Sequence, residues 1–393
     1  FSTSRYGILV FFLVSGYVIP ASLERRGCVR AFWIGRLFRV YPLWAVVVAV
    51  LAVLRPRDFG ALSVVAHVTL LQELLGTPNL LLVLWTLSYE MAFYLLVVGL
   101  FTVRLHLRSG VFAVVLAGVA VSSVAAGVSL PASALSGAVG TGPLIGFASV
   151  AMVVAICCAS GGSRGLRVFG GVLGGVLGLG LVALNGTVPL WEGLVILAVM
   201  FLGTAVHRAE HGHTGWGYAG VVAVLVVGCA VGSAYAYGDG GHATRRAWIA
   251  AFLLAVGTFG AGLAARRLRV PGVFVGLGTV SYSVYLVHPV LLAVIDSTVG
   301  RRRDDSPLLE VGFLAVLLPV CVLTYRYVEA PGQRWGRALV AVGSSDGVRR
   351  TALRPRLRTT GCRCGRPSWR GESSRGCRKR RTGTGRDRGG RWR

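Results

Sequence analysis

A chain of 393 residues that is 54% hydrophobic and only 14% charged, with a mean hydropathy of +0.68, has too little polar surface to enclose a water-soluble globule. The formal charge of +26 is concentrated at one end: residues 347–393 hold sixteen arginines and one lysine against Glu372 and Asp387, a net +15. The pI of about 11.1 therefore reports a tail and gives no reason to expect a nucleic-acid partner.

Apolar stretches of membrane-crossing length recur along the chain, near 6–20, 40–54, 80–103, 110–130, 142–159, 168–184, 190–206, 216–238, 248–265, 273–295 and 307–328. Lipid offers no partner for backbone N–H and C=O groups, so each must be helical. The expected fold is an all-α polytopic membrane protein of about 10–12 transmembrane helices without a soluble domain. The first two spans are short and call for tilt. Residue 1 is Phe and the first apolar run begins almost at once, which reads as a truncated or processed N-terminus. The tail, 341–393, lacks an apolar pattern and is expected to be disordered.

The stretch 61–75 is apolar but carries His67, Gln72 and Glu73. If it does not span, the basic loops around Arg25, Arg26, Arg30, Arg36 and Arg39, then Arg104 and Arg108, Arg164 and Arg167, His207 and Arg208, and Arg266, Arg267 and Arg269 all fall on one side. That side is the cytoplasm by the positive-inside rule. If it spans, the later loops flip outward, so 61–75 is read as interfacial or re-entrant. Arg245, Arg246 and the "RRRDD" loop at 301–305 lie on the opposite side in this scheme.

Several motifs carry little chemistry. No CxxC pair occurs, so the cysteines suggest neither a zinc site nor a disulfide framework. The "HRAEHGH" stretch (His207, His211, His213) reads as a solvated loop rather than a metal site, and no metal is expected. The Gly170, Gly174, Gly178 ladder reads as close helix packing in lipid.

Three places are more pointed. In "RAFWIGRLFRVYPLW", Arg36 and Arg39 are three apart and share a helical face. They are either positive-inside anchors, with Trp33, Tyr41 and Trp44 as an interfacial belt, or a bidentate grip on phosphates. In "LWTLSYEMAFYLL", Glu90 lies within an apolar span, where an ionisable group is expensive enough to mark a functional site or else a packing hydrogen bond. Trp85, Ser88 and Tyr94 supply polar atoms nearby. In "LGTVSYSVYLVHPV", Tyr282, Tyr285 and His288 follow helical spacing. The imidazole is either a proton-transfer group or merely hydrogen-bonded.

These segments, in this order, resemble the membrane-bound acyltransferase family 3, the polytopic bacterial O-acyltransferases. "GILVFFLVSGYVI" is similar to the family's signature helix, "RLFRVYPLW" to its Arg-x-x-Arg segment followed by Tyr-Pro, and "LWTLSYEMAFYLL" to its Glu-containing box, with Thr86 for Ser. "LGTVSYSVYLVHP" and "YRYVEAPGQRW" are similar to its closing elements. The resemblance spans most of residues 6–337 and gives a membrane acyltransferase domain over 1–340.

The implied reaction moves an acyl group from acyl-CoA, as donor substrate with no bound cofactor, to a hydroxyl of a sugar, glycan or macrolide-type acceptor. It implies a multi-pass protein of the bacterial inner membrane whose partners are acyl-CoA, the acceptor and the bilayer. Arg36 and Arg39 would hold the donor's phosphates, Glu90 and His288 would be the catalytic candidates, and Trp85, Ser88, Tyr282 and Tyr285 would line the substrate path. The family's general-base histidine belongs to a first helix that the resemblance puts ahead of residue 1. The competing reading is a transporter or exporter, which predicts internal repeats or paired broken helices; neither is legible.

Overall fold

The computed structural model describes residues 3–54, 60–128, 130–239, 244–298 and 307–352, and among them there is no strand. Eleven described segments are long and apolar enough to cross a membrane. Helices α1 (Thr3–Arg26) and α2 (Val29–Leu54) are followed by the short α3 (Ala61–Val68), then by α4 (Trp85–Thr102) and α5 (Ser109–Ala125). A second short helix, α6 (Ala134–Val139), precedes α7 (Thr141–Ala159), α8 (Arg164–Asn185) and α9 (Leu190–Glu210). Then come α10 (Trp216–Tyr237), α11 (Arg245–Ala265), α12 (Gly272–Thr298) and α13 (Pro307–Thr324). A π turn, Tyr325–Glu329, joins α13 to α14 (Ala330–Ala352).

The first two helices are longer than the apolar runs at 6–20 and 40–54, because their arginine-bearing turns are helical too. Residues 341–352, the start of the stretch expected to form a tail, continue α14 as helix, whose backbone satisfies itself without a core. Residues 353–393 and the "RRRDD" loop lie outside the described residues.

Helix α9 is the most enclosed, packed against α1, α5 and α10, while α8 fits between α4 and α7. Helices in lipid approach closely only where side chains are small. A Cβ on Gly16 of α1 would lie 1.8 Å from the Met200 carbonyl oxygen of α9, and one on Gly203 of α9 would lie 2.3 Å from the Leu13 carbonyl. Thr204 closes the same seam by donating to the Gly16 carbonyl at 2.8 Å. The glycine ladder of α8 does what its spacing suggests: Gly170 abuts the backbone of Ala159, and Gly178 that of Ala92. Gly16→Ala must push α1 and α9 apart and is expected to cost about 2–3 kcal/mol, in the range of overpacked cores. The midpoint of thermal unfolding in detergent reports it.

The 61–75 stretch does not span. The eight residues of α3 rise only about 12 Å, after which the chain turns back through a 3-10 turn at Glu73–Leu75. Instead of lying exposed at an interface, its polar residues are buried against the bundle and bonded there, except for Gln72 Oε1, which has no partner among the described residues. Glu73 accepts from Asn79 and Thr187, and Gln72 donates to the Leu84 carbonyl at 3.0 Å. Asn185 of α8 donates to the Leu74 carbonyl at 2.9 Å.

His67 pins the returning strand of this loop. Its Nδ1 sits 2.7 Å from the Ser63 carbonyl, and its Nε2 accepts from the Leu80 N–H at 3.3 Å. That pairing requires the neutral ring with the proton on Nδ1. Burial also pushes the His67 pKa below its ordinary 6.5. The unfolded segment then binds more protons in acid, so this loop's stability is full above about pH 6.5 and falls as pH drops below it. Hydrogen exchange of residues 60–84 is expected to accelerate at pH 5.5 relative to pH 7.5 beyond the intrinsic pH effect, and a His67→Gln variant is expected to lose that extra difference.

The "HRAEHGH" stretch is not a loop solvated throughout. His207, Arg208 and Glu210 belong to the last turn of α9. Arg208 is buried and paired with Glu24, and Glu210 accepts from Tyr17 and pairs with Arg266 at 3.0 Å. Charges at such depth persist because each meets an opposite charge. At the far end of the bundle, Arg5 pairs with Glu192, which also accepts from the Trp248 indole at 3.1 Å.

Candidate functional site

Two adjoining hollows organise the face of the bundle where the arginine-rich connections gather. The outer one, about 330 Å³, is lined by Arg25 and Arg26 at the end of α1, Arg36 and Arg39 of α2, and Gln333 and Arg337 of α14. None of these five arginines forms an ion pair among the described residues. The inner one, about 220 Å³, is lined by Phe11 and Ser15 of α1, Leu87, Glu90 and Tyr94 of α4, and Ser281, Tyr282 and Tyr285 of α12. Val18, Arg36 and Arg39 line both. The spacing of "RLFR" on one helix therefore brings two guanidiniums to the junction between a cationic mouth and a deeper chamber that holds a carboxylate.

Local chemistry fixes the mouth. Arg36 donates to Ser22 Oγ at 2.5 Å, and its guanidinium lies 5.3 Å from the Phe32 ring centroid and 5.4 Å from that of Tyr94. Arg26 donates to the Ala31 carbonyl at 2.6 Å across Gly35, where a Cβ would lie 2.0 Å from Arg26 Nη1. Pro42 has no N–H for the Phe38 carbonyl one turn back. Gly332 and Gly336 of α14 press on that same turn: Cβ atoms there would lie 2.7 Å from Pro42 Cγ and from Phe38 Cβ. This seam brings Gln333 and Arg337 to the mouth.

Upstream, the π turn ends just before Pro331, which likewise has no N–H to give. The buried Glu329 at its end accepts from Ser283 of α12. The closing "YRYVEAPGQRW" segment thus couples α12, α13 and α14.

In the chamber, Tyr94 donates to Glu90 Oε1 at 2.5 Å from one turn along α4. The Tyr282 hydroxyl donates to the Val40 carbonyl at 2.9 Å, one residue beyond Arg39. Tyr285 stacks on Phe11 with ring centroids 5.9 Å apart, and its hydroxyl donates to the Val83 carbonyl at 2.6 Å. Thr86, where the resemblance leads one to expect Ser, keeps a hydroxyl 2.5 Å from the Tyr285 oxygen. The signature helix divides its labour: Phe11 and Ser15 face the chamber, while Phe12 and Gly16 pack inward.

Of the residues singled out from sequence, Arg36, Arg39, Glu90, Tyr282 and Tyr285 meet here. Three do not line the chamber. Ser88 is two residues from Glu90, about 200° around the helix, and its Oγ accepts from the Glu73 N–H at 3.3 Å. Trp85 lies edge-on to Phe12 and Tyr89, with centroids 6.2 and 5.6 Å away, and so serves packing. His288 keeps its Nδ1 2.9 Å from the Val284 carbonyl of its own helix, outside the lining of both hollows. Sequence reasoning missed Arg337, quoted Gln333 only as part of a closing element, and counted Arg25 and Arg26 only as loop charge; no spacing within one segment reveals that three helix ends converge.

A search of curated proteins and a search of solved structures each found no match. The family model described as an acyltransferase domain, that of acyltransferase family 3, matches residues 1–326 and so includes every chamber residue named above, stopping just short of Glu329 and Pro331. With eleven helices of membrane-crossing length among the described residues, and a match over most of the chain, this chain belongs to acyltransferase family 3 and is a polytopic membrane acyltransferase.

Proposed function

We propose that the protein is an O-acyltransferase of the bacterial inner membrane that transfers an acyl group from cytoplasmic acyl-CoA to a hydroxyl of a sugar, glycan or macrolide-type acceptor. One observation carries the reading: Arg36 and Arg39 line both the five-arginine mouth and the Glu90 chamber. Acyl-CoA has the matching shape of charge, phosphates at one end and an uncharged arm ending in a thioester. In this reading Arg25, Arg26, Arg36, Arg39 and Arg337 bind the phosphates, for which planar guanidinium forks are suited. The arm passes Val18 and brings the thioester carbonyl beside Glu90 and Tyr282.

The acceptor oxygen attacks the carbonyl carbon, the carbon–sulfur bond breaks, the hydroxyl proton leaves to a base, and the coenzyme A thiolate takes up a proton. Glu90 is the proton-accepting group that the chamber supplies, held in place by Tyr94. His288, bonded to its own helix and outside the lining, has no part in these steps.

The test is acyl transfer from radiolabelled acetyl-CoA by membranes expressing the full reading frame, offered a panel of sugar and macrolide acceptors. Labelled ester on an acceptor, lost in Arg39→Gln at equal expression, supports the reading. Transport of acceptor without acylation would overturn it in favour of an exporter.

A further inference from the structure

We infer that a second cavity on the arginine-rich face binds a phosphate-bearing anion at a site separate from the donor mouth. It measures about 360 Å³ and is walled by the α1–α2 turn, the α4–α5 connection and the α7–α8 connection. It shares no lining residue with the mouth or the chamber. Arg30, Arg104, Arg164 and Arg167 line it together with His106, and no carboxylate does. Arg30, Arg104 and Arg164 form no ion pair among the described residues.

Two independent features point to an anionic ligand. Helices α2, α5 and α8 all begin beside this cavity, and none has an acidic residue in its first turn. Helices α1, α4 and α7 end beside the same cavity, so their negative C-terminal ends offset much of the positive N-terminal field, and the penalty that remains is the crowding of like charge among the arginines, Arg30 and Arg164 in the first turns of α2 and α8 included. An anion in the cavity would reverse that penalty.

The second feature is Arg104, held at φ +62° just past the end of α4. Glycine is the usual residue at such a left-handed helix end. Positive-inside topology accounts for arginines on this face. It does not account for four of them around one hollow, nor for a side chain kept where glycine would fit without strain.

Phosphate oxygens match guanidinium forks. Phe101, Leu107 and Ala159 supply apolar wall beside the charges, as a lipid headgroup site at a membrane boundary would require. A soluble phosphate would use the same arginines, and the experiment separates the two sources. The full chain, purified in detergent, carries Arg36→Gln and Arg39→Gln to weaken the mouth, which keeps Arg25, Arg26 and Arg337; dependence on Arg104 and Arg164, which do not line the mouth, assigns the binding to this cavity. Equilibrium binding is measured for radiolabelled dioctanoyl phosphatidylglycerol, for the matching phosphatidylcholine, and for radiolabelled pyrophosphate.

The expected result is saturable binding of phosphatidylglycerol or pyrophosphate, not of phosphatidylcholine, weakened about tenfold by Arg164→Gln and by Arg104→Gly. Phosphatidylglycerol alone identifies a lipid site, pyrophosphate alone a soluble ligand, and both a site that reads only the phosphate. Because glycine relieves the left-handed backbone at 104, a loss in Arg104→Gly is not a folding defect. Saturable binding of neither probe, equal binding of phosphatidylcholine, or binding unchanged in both variants overturns the inference. Because Arg104 and Arg164 line neither the mouth nor the chamber, none of these outcomes bears on the donor site.

Discussion

Glu90→Gln is expected to lower kcat for acyl transfer about 100-fold or more, the usual range for removing a positioned proton acceptor, while leaving the KM for acyl-CoA within about threefold. Glutamine keeps the volume of the side chain and an oxygen that can accept from Tyr94, so the bundle should fold and expression should hold. The split between kcat and KM is the informative readout. A carboxylate that served only to pack α4 would, when neutralised, change stability and leave turnover alone. Steady-state kinetics on membranes normalised for protein, with a thermal unfolding midpoint for each variant, separates the two.

The second large effect belongs to the arginines and has the opposite signature. Hydrogen bonds to charged groups contribute about 1.5–3 kcal/mol each, so Arg36→Gln and Arg39→Gln are each expected to raise the KM for acyl-CoA by about tenfold to 100-fold. Together they should raise it by more than either alone, with kcat changed far less. Arg36→Gln should also cost some stability, because Arg36 bridges Ser22 of α1 and the Tyr94 ring of α4. Arg39, which is solvent-exposed in the bundle, should not. Rising ionic strength should weaken donor binding in the wild type and matter less in the double variant.

Much of the fold was legible in the sequence, because lipid forces long apolar segments to be helical and arginine bias orients them. The eleven apolar stretches correspond to eleven membrane-length segments, and the charge argument that kept 61–75 from spanning agrees with a helix of only eight residues there. Three features were hidden for a common reason. The burial of Gln72 and Glu73, the Arg208–Glu24 pair inside a stretch that reads as hydrophilic, and the arrival of Arg337 at the mouth all depend on partners far away in the chain. Periodicity reports which residues share a helical face, and not which faces meet.

The candidate site divides the same way. The pairs Arg36 with Arg39 and Tyr282 with Tyr285 each lie three apart on one helix, so their spacing alone makes them neighbours. Glu90 stands out by the cost of its charge in lipid. Trp85 and Ser88 precede Glu90 by five and by two residues and so project elsewhere around α4, a distinction already contained in the helical repeat. That Gly16 and Gly203 let two backbones meet, so that Ser15 faces the chamber from a rigid seam, was not readable from either segment alone.

The central claim is that one continuous path runs from the five-arginine mouth past Arg36 and Arg39 to Glu90. It is tested most directly by photolabelling the full-length protein with an acyl-CoA that carries a diazirine on its acyl chain, followed by peptide mass spectrometry. Adducts are expected on chamber residues such as Phe11, Leu87 and Tyr282, abolished by excess acetyl-CoA and strongly reduced in the Arg36→Gln/Arg39→Gln variant. Competable adducts confined to other helices, with the chamber unlabelled, would contradict it.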